Sequence, residues 1–111
     1  MVQDHFAWLI DWYLRQCDGD WEHQFGVKID TLDNPGWSLT IDLEMTLLES
    51  VSFDTVLYNV DPADELVGGD GNNSWYVCRV VDKQFISYGG PRNLSDLIEV
   101  FKGLAERVEV S

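Results

Sequence analysis

Basic side chains are scarce in this chain, where seven Lys and Arg stand against 20 Asp and Glu to give a formal net charge of −13. Nucleic-acid backbones and anionic lipid surfaces are recognised through clustered Lys and Arg, so neither is an expected partner. Cysteine is nearly as sparse. The two thiols, Cys17 and Cys78, are too few for a disulfide scaffold and lack the C-x-x-C spacing of zinc and redox sites. No apolar run approaches the roughly 18 residues of a membrane span, and the opening residues lack the basic and apolar regions of an export signal. The expectation is a reduced, cytoplasmic protein.

Catalytic patterns are also missing. His5 and His23 are the only histidines, and no Ser-His-Asp set or carboxylate pair can be argued from position. The run Gly68-Gly69-Asp70-Gly71 has no Walker lysine, and its acid would repel phosphate. Gly89-Gly90-Pro91-Arg92-Asn93 precedes a helix start, where anions can bind, but reads first as a strand-to-helix turn.

What is abundant is core-forming material. With 111 residues, 45% of them hydrophobic and five of them Trp, the chain can build one core, and residues 1–111 read as a single domain. From residue 4 to about 17, Phe6, Leu9, Ile10, Tyr13, Leu14 and Cys17 recur at helical steps, with Asp4 as cap and Trp8 and Trp12 on an adjacent stripe. Phe25, Val27 and Ile29 then alternate with polar or small residues, as do Trp37, Leu39, Ile41 and Leu43, which predicts two half-buried strands. Asn34-Pro35-Gly36-Trp37 between them predicts a type II turn, with Gly36 at positive φ. Lys28, Asp30, Ser38, Thr40, Asp42 and Glu44 fall on the outward, mostly acidic face of that hairpin.

Further strands are predicted at Phe53–Val60, Trp75–Val81 and Gln84–Tyr88, the last two joined by a tight turn at Asp82-Lys83. Residues 61–74, rich in Asp, Gly and Asn, read as a surface loop. Asn93 is placed to cap a second helix, with Asp96 in its first turn and one stripe of Leu94, Leu97, Ile98, Phe101, Ala105 and Val108. The fold class is α+β: an antiparallel meander of four to five strands, with an N-terminal and a C-terminal helix packed on one face.

The densest polar cluster is Cys17-Asp18-Gly19-Asp20-Trp21-Glu22-His23. A nucleophilic Cys17 would need a nearby cation, yet it sits at a helix C-terminus followed by three carboxylates, which oppose a thiolate. Asp18, Asp20, Glu22 and His23 include metal-ligand types, but an EF-hand loop would run on to a sixth-position Gly and twelfth-position Glu, and here a strand begins instead. No cofactor or metal is expected. A small metal-dependent or thiol enzyme using this cluster is one open reading, and a structural or regulatory adaptor another.

The runs Trp8-Leu9-Ile10-Asp11-Trp12-Tyr13, Gln16-Cys17-Asp18-Gly19-Asp20-Trp21-Glu22-His23 and Thr31-Leu32-Asp33-Asn34-Pro35-Gly36-Trp37 resemble the immunity protein 53 family of bacterial polymorphic toxin systems. Gly89-Gly90-Pro91-Arg92-Asn93-Leu94 is similar to the same family's closing motif. The resemblance implies a non-enzymatic cytoplasmic antidote that binds a cognate toxin domain. The acidic charge suits a basic toxin, such as a nuclease. The expected contacts are Asp18, Asp20, Glu22, Asp33, Asp42 and Glu44, with Trp21 either an aromatic anchor or a lid on the core. A monomer and a weak homodimer through Trp8 and Trp12 both remain open.

Overall fold

The first helix, α1 (His5–Gln16), starts where Asp4 accepts a hydrogen bond from the Ala7 amide at 3.0 Å, the capping expected of an aspartate before an apolar-periodic run. The structure is a computed structural model that describes residues 4–33, 35–60 and 74–109. Most of the loop expected at 61–74 therefore lies outside the described residues.

After α1 the chain makes a short helix, α2 (Trp21–Gln24), and enters the hairpin β1 (Val27–Leu32) and β2 (Gly36–Asp42). Strands β3 (Val56–Tyr58), β4 (Tyr76–Val81) and β5 (Gln84–Gly89) follow, and α3 (Leu94–Glu109) closes the order. All strand neighbours are antiparallel, in the spatial order β1-β2-β5-β4-β3. The α+β class is thus present, with β3, β4 and β5 forming a meander and the β1-β2 hairpin joined to it through β2 and β5. Residues 43–55 carry the chain from the inner strand to the far edge. Leu43 and Leu48 are buried on the way, and Val51 and Phe53 pack against the core.

Register explains the core. Across the sheet, Ile41 faces Phe85 and Phe85 faces Val80, while Leu39 faces Ser87 and Ser87 faces Cys78. Paired residues share a face, and α3 lies over this one with Leu97, Ile98, Phe101, Leu104 and Ala105 buried. Phe101 meets Phe85 with ring centroids 5.1 Å apart. The buried Ser87 hydroxyl donates to the Leu39 carbonyl at 2.9 Å, so it costs the core no unpaired group.

Helix α1 packs mainly on α3. Its inward stripe is Leu9 and Trp12, with Trp8 beside them, whereas Phe6, Ile10 and Leu14 of the expected face are exposed. The indole decides this orientation. Trp12 sits edge-on to Phe101 at 4.9 Å and donates to the Glu109 carboxylate at 2.9 Å, so both its large ring and its N–H are satisfied inside.

Three local expectations change. Gly36 has no positive φ; it opens β2 opposite Leu32, and a side chain there would collide with the Gly89 carbonyl on β5. Glycine is needed for close approach, not for a turn. Asn93 does not cap α3 with its side chain: its amide oxygen accepts from the Trp75 amide at 3.2 Å and its nitrogen donates to Asp96 at 2.7 Å. The third strand is cut from eight residues to Val56–Tyr58. The turn at Asp82 and Lys83 holds, both residues having positive φ as a two-residue hairpin turn requires.

Candidate partner-binding surface

The segment between α1 and β1 is built by its own carboxylates. Gly19 takes φ +97°, a conformation that favours glycine, and the chain folds back so that side chains at 18 and 22 reach neighbouring amides. Asp18 accepts from the amides of Asp20 and Trp21 at 2.9 and 3.0 Å. Glu22 accepts from the amides of Asp18 and Gly19 at 3.0 and 2.9 Å. These donors favour the charged forms. The Trp21 amide, then that of Asp20, holds Asp18 below the ordinary aspartate range. Glu22 is lowered too, by its own amide first and then by those of Asp18 and Gly19.

Of the two readings of Trp21, aromatic anchor or lid on the core, the second fits, since the residue is only 3% exposed. Its ring stands edge-on to Trp12 at 6.2 Å and to Tyr13 at 6.1 Å, and its indole donates to the Glu44 carbonyl at 2.9 Å. It ties the α1–β1 junction to the segment after β2. Between them lies a hollow of about 250 Å³ lined by Asp18, Asp20, Trp21, Gln24, Phe25, Glu44 and Met45.

The sequence-derived residues are therefore only partly gathered. Asp18, Asp20, Trp21 and Glu44 share the hollow, with Glu22 in the same turn. Asp42 is nearby at the end of β2, where it accepts from the Gly26 amide at 2.9 Å and the Gln84 side chain at 2.8 Å. Asp33 stands apart. It follows Leu32 at the opposite end of the six-residue strand β1, about 20 Å away at ordinary strand rise. The outer sheet face is also less acidic than expected, because Arg79, Ile86 and Tyr88 alternate onto it beside Asp30 and Asp42.

Sequence reasoning missed Met45 and Leu47, each 74% exposed. Met45 has φ 65°, and its amide donates to Glu49 at 2.9 Å, so the turn pushes an apolar side chain outward between two carboxylates. The signal was present as Glu44-Met45-Thr46-Leu47-Leu48-Glu49, which fits neither a helical nor a strand period.

The two thiols are held differently. Cys78 is buried and its thiol is pushed up to about 12, chiefly by burial and then by the Asp96 charge. Cys17 donates weakly to the Tyr13 carbonyl at 3.4 Å. Among the described residues, no three His, Cys, Asp or Glu side chains converge as metal ligands would.

The family model described as immunity protein 53 matches residues 6–106, nearly the whole chain. The chain belongs to this family. No curated protein and no solved structure gave a match. As an immunity protein it belongs to a class that acts by binding a toxin protein. Among the described residues of this immunity protein, no helix is long and apolar enough to cross a membrane.

Proposed function

We propose that this immunity protein neutralises a basic toxin domain in the cytoplasm by covering its working groove with the acidic end of the sheet. Asp18, Asp20, Glu22, Asp42 and Glu44 form the charged rim, and Met45 and Leu47 supply the apolar contact. Trp21 serves from beneath, holding the two acidic segments together. Asp33 lies outside this patch and contributes only long-range attraction. Toxins that act on nucleic acid have the basic grooves such a rim would match, so a nuclease is the favoured target class.

The observation that carries this reading is the protruding Met45, which lines the hollow beside Asp18, Asp20 and Glu44, with the equally exposed Leu47 two residues on. Apolar contacts inside a charged rim are the usual makeup of a tight, fast-forming interface. The rival enzyme reading finds less support, since Asp18 and Glu22 already serve backbone amides.

Calorimetric titration with the toxin domain encoded beside this gene tests the proposal. Stoichiometric binding is expected, weakened by added salt, by Asp20→Lys with Glu44→Lys, and by Met45→Ala. Undiminished binding by both variants and at raised salt would overturn this placement of the interface. No binding and no rescue of growth on co-expression would overturn the toxin reading itself.

A further inference from the structure

Strand β1 is an edge of the sheet, paired among the described residues only with β2. Its hydrogen-bonding sides follow from one contact: the Asp42 amide donates to the Gly26 carbonyl at 3.0 Å, which makes that pair a hydrogen-bonded one. Alternation then turns Lys28 and Asp30 backbone groups toward β2, and those of Val27, Ile29 and Thr31 outward. An outward-facing ladder of this kind is a template for another strand. Beside it runs an apolar groove of about 320 Å³ between α1 and β1, lined by Phe6, Leu9, Ile10, Tyr13, Val27 and Ile29. Ile10 in its lining is 57% exposed, and Leu14, one turn further along α1, is 58% exposed.

We propose that this edge joins a second copy of the same chain, β1 against β1 in antiparallel register about a two-fold axis at Ile29. The register follows from the side chains. With Ile29 opposite the partner's Ile29, Val27 falls opposite the partner's Thr31, and Lys28 falls opposite the partner's Asp30. The outward amides and carbonyls of residues 27, 29 and 31 meet their counterparts, as paired antiparallel positions must. Both charged pairs of the joint are of opposite sign, and the two isoleucines lie on the groove side. A single lysine on an edge strand ordinarily blocks pairing; Asp30, two residues on, cancels that block only in this symmetric arrangement. The two grooves are brought side by side, so the Phe6, Ile10 and Leu14 stripes of the copies cover each other. The joined sheet has ten strands. Trp8 and Trp12 do not form the contact, since Trp12 is fully buried and Trp8 packs on Phe101 at 5.9 Å.

This inference is independent of the toxin proposal, because it uses the β1 edge and not the junction at Asp18 to Glu22. Light scattering coupled to size exclusion, at fixed salt and over a concentration series, is the test. The wild-type chain is expected at twice its 12.7 kDa mass. Asp30→Lys places lysines opposite each other and is expected to raise the dimer dissociation constant about tenfold or more, although it reduces the net charge of each copy. Lys28→Asp should act likewise, and Lys28→Asp with Asp30→Lys should restore the dimer. Each of these sites is exposed, and circular dichroism verifies that the variants stay folded. A wild-type monomer at the highest concentration would overturn the proposal. So would an Asp30→Lys protein that still dimerises, a double variant that does not recover, or an edge that pairs only with the toxin domain.

Discussion

Leu9 and Trp12 of α1 are buried against α3, while Phe6, Ile10 and Leu14, a short way round the same helix, are exposed. Both stripes have helical spacing and comparable hydrophobicity, so amphipathic pattern alone does not choose between them. The inner stripe wins because Trp12 fills more of the core and finds an acceptor for its N–H in Glu109. The outer stripe is left beside the β1 edge, which pairs only with β2 among the described residues. One face of the helix thus maintains the fold, and the other is available to a second molecule.

Breaking the inner stripe should have the largest effect. Trp12→Ala is expected to destabilise by about 3–5 kcal/mol in chemical denaturation, because the cavity would open between Phe101 and Trp21. A loss under 1 kcal/mol would mean that α1 is not anchored as described. Next comes Gly36→Ala, expected to cost about 1–3 kcal/mol, since the added methyl meets backbone at Gly89. Ile10→Ser on the outer stripe should change monomer stability by less than about 0.5 kcal/mol. Comparable losses from Ile10→Ser and Trp12→Ala would erase the distinction between the two stripes.

The smallest effects concern titration at the junction, where the inner stripe's neighbour Trp21 meets solvent-exposed acids. Asp18 and Glu22 have depressed pKa values in the folded chain, so their contribution is present above the ordinary carboxylate range. It is lost as pH falls through their folded values. Carboxyl NMR titrations should place their midpoints below the ordinary values of aspartate and glutamate respectively. Midpoints at or above those values would show that the amides do not hold the carboxylates. Alkylation of the folded protein near neutral pH should mark Cys17 and spare Cys78.

Much of the fold was legible because period and punctuation agreed. The steps in 4–17, the alternation in 25–43 and the stripe from Leu94 to Val108 each set an element. The four-residue helix at Trp21 was not legible, since one turn has no period to read. The crossing of residues 43–55 was equally hidden: strand order depends on which edges meet, and local pattern does not record that. Gly36 was misread because its reason lies in β5, 53 positions away. At the candidate site, charge pointed to Asp18, Asp20 and Glu44, but the burial of Trp21 and the protrusion of Met45 depend on tertiary contacts.

The central claim is that the acidic end of the sheet is the surface that meets the toxin. Hydrogen exchange on this immunity protein, alone and saturated with a cognate toxin domain, tests it most directly. The account predicts new protection in residues 18–26 and 43–51. Protection confined to other regions, with these two segments unchanged in a fully formed complex, would contradict it.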